Sequence, residues 1–141
     1  MKILLAIDGS DYTKRMLAYV AAHDETFGGA AHEYVIATVA APIPSHVTQY
    51  LPKGTVESFH AEQAEQVLEP VRAFAKQNGW NARFVHVVGP AAESIASLAD
   101  KERVDLVVMG SHGHTALGGL LLGSVATGVL ARCRTPVLII R

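Results

Sequence analysis

The sequence predicts an α/β protein with a single doubly wound sheet of five parallel strands. Short runs that are apolar throughout, typical of strands covered on both faces, alternate with amphipathic helical segments along the chain. Glycine or proline stands at several of the boundaries between them. This βαβαβαβαβ order implies parallel strands joined by right-handed crossovers. A length of 141 residues, of which 50% are hydrophobic, corresponds to one domain.

Each element has its own signature in the sequence. The predicted strands are residues 3–7, 34–40, 83–88 and 105–109, and a last strand from Pro136 to Ile140. The predicted helices run from Ser10 to about Phe27, over 56–78, onward from Gly89-Pro90, and over 124–133. Ser10 is the expected N-cap of the first helix, and residues 56–78 keep the i, i+3, i+4 spacing of an amphipathic helix. Segment 42–55 holds three of the six prolines and is predicted to be an irregular loop.

Charge, cysteine content and the length of the apolar runs exclude several classes of protein. Twelve Lys and Arg against 13 Asp and Glu give a net charge of −1, which favours neither nucleic acid nor an anionic membrane as a partner. The apolar runs are too short to span a bilayer, and the run after Lys2 is too short for a signal peptide. A single cysteine excludes an internal disulfide framework. We therefore expect a cytoplasmic protein.

A glycine loop, residues 110–123, carries the strongest functional signal. It follows the fourth predicted strand and leads into a helix at Ser124, whose free N–H groups and dipole favour an anion. Glycines there let the backbone approach a ligand and adopt positive φ. The alternative is that they only turn the chain while Ser124 caps the helix. A P-loop beginning at Gly118 is excluded, because Ser124 stands in place of the lysine.

The same segment resembles the ATP signature of the universal stress protein family. That signature, Gly-x2-Gly-x9-Gly-Ser/Thr, is matched by Gly110, Gly113, Gly123 and Ser124 with complete spacing. Segments 104–113 and 134–141 and the opening residues 3–10 are also similar to the family's typical segments. The resemblance covers residues 1–141 as one universal stress protein domain. It implies a flavodoxin-like sheet ordered 3-2-1-4-5, adenine nucleotide binding, and a homodimer formed through the last strands, Pro136 to Ile140.

The resemblance also assigns roles to individual residues. Asp8 is similar to the acidic residue near the adenosine, and Val39 to the residue whose backbone meets the adenine edge. The other residues implied to line the base or wrap the ribose and phosphates are Ala6, Ile7, Met109, Gly110, Gly113, Gly123, Ser124, Val125 and Ala126. His114 stands where the family often has arginine, which weakens the expected grip on the outer phosphates and favours AMP or pH-sensitive binding.

The remaining candidate residues carry weaker signals. His112 and His114 lack a third ligand at useful spacing, so we predict no metal site made by the protein alone. Cys133 lies between two arginines but precedes a predicted strand, which favours a packed thiol over a reactive one. We expect Trp80 to pack at the surface. The histidines outside the loop, His23, His32, His46, His60 and His86, share no spacing and are predicted surface residues.

These observations lead to a functional hypothesis with two alternatives. The chain is expected to be a homodimeric regulatory protein of the stress response that binds ATP or AMP, with any Mg²⁺ held through the nucleotide phosphates. The first alternative is a slow Mg²⁺-dependent ATPase, for which the sequence offers neither a P-loop lysine nor an arginine finger within the motif. The second is a module that binds a protein partner without nucleotide. The sequence does not identify the downstream partner.

Overall fold

The computed structural model describes residues 1–28, 30–115, 119 and 121–141. Its five strands form one parallel sheet in the order β3-β2-β1-β4-β5, which confirms the predicted fold class. The strands are β1 Lys2–Ile7, β2 Glu33–Ala40, β3 Asn81–Val88, β4 Leu106–Gly110 and β5 Val137–Ile140. The helices are α1 Asp11–Ala22, α2 Asp24–Phe27, α3 Ser45–Thr48, α4 Thr55–Gln77, α5 Ala91–Glu102 and α6 Ser124–Arg132.

The helices differ from the prediction in two places, and the cap of α1 differs in its bonding. The first predicted helix is two helices, because α1 ends at Ala22 and the separate turn α2 follows. The loop predicted over 42–55 contains the one-turn helix α3. Ser10 does occupy the N-cap of α1, but its hydroxyl makes no capping bond and is buried without a hydrogen-bond partner among the described residues. Gly29 and Gly118 lie outside the described residues.

The core consists of two apolar layers, one on each face of the sheet. Helices α1 and α4 cover one face and pack on Ile3, Leu5 and Ile36. Helices α5 and α6 cover the other face and pack on Leu4, Val107 and neighbouring residues. Alternate residues of each central strand therefore enter opposite layers, which is why these strands are apolar throughout. The Cys133 thiol is half-buried and packs against the second layer.

Two side chains predicted to be at the surface are buried instead. Trp80 is only 9% exposed; its ring stacks on Tyr34 at 4.8 Å between centroids and meets Phe74 edge-on at 5.6 Å. His60 is 5% exposed on the inner face of α4. Trp80 lies just before β3, where a short connection offers no periodicity to read. Its burial depends on α4 and β2, which are distant in the sequence.

Tyr34 is expected to make the stability of the fold fall with rising pH in the alkaline range. Burial, with a smaller contribution from the negative charge of Asp24, raises the pKa of its hydroxyl from 10.0 to about 12. The hydroxyl donates a hydrogen bond to the Phe27 carbonyl. In the unfolded chain Tyr34 ionises first, so its contribution is fully present below pH 10 and is lost as the pH rises toward 12.

Urea denaturation at steps between pH 9 and 11.5 measures this loss. In the Tyr34→Phe variant the free energy of unfolding should fall less steeply with pH than in the wild type. Equal slopes for the two proteins would contradict the assignment.

None of the helices in the described part of the chain combines the length and the apolar character needed to cross a bilayer.

Candidate functional site

A cavity of about 190 Å³ opens at the carboxyl ends of β1, β2 and β4. This is the edge at which parallel α/β sheets bind ligands, next to the strand where the order of the sheet reverses. All twelve residues singled out from the sequence lie on its wall: Ala6, Ile7, Asp8, Val39, Met109, Gly110, Gly113, His114, Gly123, Ser124, Val125 and Ala126. The structure therefore brings into one place residues that four separate segments of the chain supply.

One end of the cavity is apolar. Ala6 pairs in register with Ala37 on one side and with Met109 on the other, so the three side chains form a row on one face of the sheet. Val39 and Ile95 complete this part of the wall. Because two of the three residues in the row are alanines, the sheet leaves room there for a flat group.

Because β1 ends before β2 does, β2 presents one backbone acceptor in this apolar part of the cavity. Pairing of β2 with β1 stops at Ile7 opposite Thr38, whereas β2 continues to pair with β3 through Ala40. The Ala40 carbonyl accepts a hydrogen bond from Gly89 N–H on the β3 side. Successive carbonyls of a strand point in opposite directions. The Val39 carbonyl consequently points toward the space beyond the last paired residue of β1.

Asp8 is the only carboxylate among the described residues on the cavity wall. Its Oδ1 accepts hydrogen bonds from the Ser10 N–H at 2.9 Å and from the Thr13 hydroxyl at 3.0 Å. Its own N–H donates to Thr13 Oγ1 at 3.1 Å, and its carbonyl accepts from His114 Nε2 at 2.6 Å. Four contacts thus fix the backbone and one carboxylate oxygen of Asp8.

Gly113 is required by the position of Asp8. A Cβ atom built on Gly113 would lie 2.6 Å from Asp8 Oδ2, far inside normal contact distance. From the sequence, close approach to a ligand and positive φ were the two expected reasons for glycine in this loop. Among the described loop glycines only Gly119 has positive φ, so at Gly113 the reason is the close approach of the carboxylate.

The other end of the cavity is the amino terminus of α6. Gly123 is the N-cap with φ −72° and makes no side-chain capping bond, which rules out the interpretation that Ser124 serves as the cap. The first N–H groups of a helix have no partner within the helix. Ser124, Val125 and Ala126 carry these groups and all three line the cavity. This end of the cavity can therefore bind an anion.

Ser111, which the sequence analysis did not single out, holds the glycine loop in place. Its side chain is buried, its N–H donates to the Ile140 carbonyl at 2.7 Å, and its carbonyl accepts from the Gly123 N–H at 2.7 Å. Its hydroxyl lies 3.0 Å from His112 Nδ1. These bonds connect the ends of β4 and β5 to the start of α6.

His114 lies on the cavity wall, but its contact differs from the predicted one. Its Nε2 donates to the Asp8 carbonyl, so the ring bridges the glycine loop to the turn after β1. His112 also lines the cavity and contacts the Tyr12 ring at 5.2 Å between centroids. No described lining residue is a lysine or an arginine. The described wall therefore attracts an anion through its backbone N–H groups, the α6 dipole and the imidazoles.

Six lining residues were missed by the sequence analysis. These residues, which were not predicted to line the site, are Thr13, Ala37, Ala91, Ile95, His112 and Thr115. The alternation of a strand could have indicated Ala37, which shares a face with Val39. Ala91 and Ile95 come from α5, whose position over the cavity is set only by the crossover between β3 and β4.

The described residues contain no cluster of side chains that would support metal binding. No three His, Cys, Asp or Glu side chains come together there in a way that could hold a metal ion. His112 and His114 are therefore not joined by a third described ligand.

Comparison with known proteins identifies the family. A model described as the universal stress protein family matches residues 1–141. The chain belongs to this family. A universal stress protein of Thermus aquaticus, from the region 3′ of QAH/OAS sulfhydrylase, is 32% identical over 139 residues, covering 99% of this chain and 97% of that protein. Universal stress protein MJ0577 of Methanocaldococcus jannaschii is 36% identical over 80 residues, covering 57% of this chain and 49% of that protein.

Solved structures of universal stress proteins are similar over the whole chain. The structure of MJ0577 has a TM-score of 0.83 at 30% identity and covers 99% of this chain and 94% of that one. A universal stress protein in complex with cAMP has a TM-score of 0.66 at 26% identity and covers 100% of this chain and 96% of that one. Both similarities support the fold described above.

Proposed function

We propose that this universal stress protein is a regulatory module that binds an adenine nucleotide at the cavity. The observation that carries the proposal is one continuous wall that joins an apolar row at the strand ends to the uncapped amino terminus of α6. A flat apolar base needs the first feature and a phosphate needs the second. The cAMP complex of a protein 26% identical to this chain supports a ligand of this class.

The Val39 carbonyl favours adenine over guanine as the base. A base lying against Ala6, Ala37 and Met109 brings its edge to this carbonyl, which can only accept a hydrogen bond. Adenine carries an amino group at C6, which donates, whereas guanine carries an oxygen there, which would repel the carbonyl. Adenine binding should therefore exceed guanine binding.

The phosphate end favours a nucleotide with few phosphates. The first N–H groups of α6 can receive one phosphate, and Ser124 adds an exposed hydroxyl. His114 stands where an arginine would offer fixed charge, and its Nε2 is already committed to the Asp8 carbonyl. We therefore propose that AMP binds at least as well as ATP, with Mg²⁺ held through the phosphates when ATP is bound.

Binding to the purified protein tests the proposal directly. Nucleotide extracted from the protein is identified by mass spectrometry, and AMP, ATP, cAMP and GMP are titrated by calorimetry at fixed pH and salt. Adenine nucleotides should bind and GMP should bind at least about tenfold more weakly, since one lost hydrogen bond and one repulsion exceed 1.4 kcal/mol. Absence of binding by every nucleotide would overturn the proposal and favour a module that binds only a protein partner.

Hydrolysis of ATP is not favoured by any feature of the described wall. Phosphoryl transfer is driven by positive charge and by positioning of the attacking water. The described lining residues include no lysine or arginine, and Asp8 Oδ1 is already engaged by two donors.

We propose that nucleotide binding reports nucleotide levels in a cytoplasmic stress response. An unidentified partner protein would respond to the bound state.

We also propose that the protein is a homodimer formed through β5. This strand is at the edge of the sheet and is apolar throughout, so an unpaired edge would be prone to association. Two-fold pairing with the same strand of a second copy removes the exposed edge.

Proline at position 139 is expected to weaken this dimer without breaking the sheet. The Ile140 carbonyl accepts from the N–H of Ser111, the residue directly after β4. The backbone groups of the preceding residue, Ile139, therefore face away from β4. Ile139→Pro therefore removes an N–H from the outer edge only. Sedimentation velocity at tens of micromolar should show a dimer for the wild type and for the control Ile139→Val, and monomer for Ile139→Pro. A monomeric wild type would contradict the proposed interface.

A further inference from the structure

We propose that Thr13 is a positioning residue that holds the Asp8 carboxylate with Oδ2 toward the sugar of the bound nucleotide. The inference deepens the proposed function and rests on it. Thr13 stands in the first turn of α1, is 5% exposed and lines the cavity.

The Thr13 hydroxyl makes two hydrogen bonds with Asp8, and the chemistry of the groups fixes which atom donates in each. A backbone N–H can only donate, so Asp8 N–H gives its hydrogen to Thr13 Oγ1 at 3.1 Å. The hydroxyl hydrogen of Thr13 is then available for Asp8 Oδ1 at 3.0 Å. One hydroxyl group thereby couples the backbone of Asp8 to its side chain and restricts the rotation of the carboxylate.

The second carboxylate oxygen is left for a ligand. Ser10 N–H donates to the same Oδ1 at 2.9 Å, so that oxygen has two donors. Within the described part of the chain no group donates to Oδ2, which lies against the backbone of Gly113 on the cavity wall. Oδ2 is therefore oriented by the protein, and the described residues make no hydrogen bond to it.

The sugar is the part of a nucleotide that fits this oxygen. A carboxylate repels the phosphate, which belongs at the N–H groups of α6, and the apolar row accepts the base. Sugar hydroxyls are donors, and a hydroxyl bonded to a carboxylate makes a short, charge-assisted hydrogen bond. A nucleotide without that hydroxyl leaves Oδ2 unsatisfied and loses affinity.

The test compares AMP with 2′-deoxy-AMP and 3′-deoxy-AMP by titration calorimetry. The wild type should bind AMP about tenfold more tightly than at least one of the deoxynucleotides. Thr13→Val keeps the shape of the side chain but removes the hydroxyl, so it should bind AMP more weakly and lose this preference for ribose. Thr13→Ser, which keeps the hydroxyl, should restore both properties.

The ratio of affinities separates positioning from a purely structural role. If Thr13→Val weakened AMP and the deoxynucleotides equally, Thr13 would support the fold and not orient Oδ2, and the inference would be wrong. A wild type that does not discriminate between AMP and either deoxynucleotide would also overturn it while leaving the proposed function intact. Absence of all nucleotide binding would overturn both.

The control variant is Thr48→Val. Its hydroxyl donates to the Ser45 carbonyl on the exposed helix α3, and Thr48 does not line the cavity. This variant should keep the wild-type affinity for AMP and the wild-type preference for ribose. A change as large as that of Thr13→Val would show that loss of any threonine hydroxyl has this effect, which would overturn the inference.

Discussion

Replacing Gly113 with valine is expected to abolish nucleotide binding while the chain stays folded. The new Cβ would lie 2.6 Å from Asp8 Oδ2, so the carboxylate must move away. That movement breaks the bonds that Asp8 Oδ1 accepts from Ser10 and Thr13. The branched side chain would also enter the part of the cavity where we propose that the sugar and phosphate bind. We expect affinity for AMP to fall by at least about 100-fold, which corresponds to about 2.7 kcal/mol.

Calorimetric titration with AMP measures the loss, and urea denaturation shows whether the fold persists. Leu121→Val is the matched control, because Leu121 belongs to the same loop, is 70% exposed and does not line the cavity. The control should bind AMP as the wild type does. A folded Gly113→Val protein with wild-type affinity would show that this loop is not the nucleotide site.

Replacing Trp80 with alanine is expected to cause the largest loss of stability. The indole fills the space between Tyr34 and Phe74 and is 9% exposed. Removing a buried aromatic side chain of this size costs about 3–5 kcal/mol, because the surrounding structure cannot close the cavity completely. A loss of this size is a large fraction of the stability of a typical single domain.

Urea denaturation followed by far-ultraviolet circular dichroism measures this loss, since Trp80 is the only tryptophan and its removal eliminates the fluorescence signal. Tyr50→Ala is the control: it removes an aromatic ring that is 81% exposed and should change the free energy of unfolding by less than about 0.5 kcal/mol. A loss below about 1 kcal/mol in Trp80→Ala would contradict the packing described here.

The sequence alone determined the class of fold and the general place of the site. Continuous apolar runs such as residues 3–7 identify strands buried on both faces, and their alternation with helices leaves few topologies. The strand order 3-2-1-4-5 came from the family resemblance, since hydrophobic spacing does not specify which strands are neighbours. The twelve cavity residues came from the same resemblance, which carried family roles onto strand ends and onto a motif of fixed spacing.

Only the tertiary structure decided how those residues contact one another. Asp8 and Gly113 are 105 positions apart, and nothing in either local sequence shows that a carboxylate oxygen occupies the space of a missing Cβ. The same holds for His114, whose Nε2 bonds the Asp8 carbonyl, and for Trp80, whose partners come from α4 and β2. Hydrophobic periodicity reports which face of an element is buried. Contacts between short connections depend on where the sheet places their ends, and that placement exists only in the folded chain.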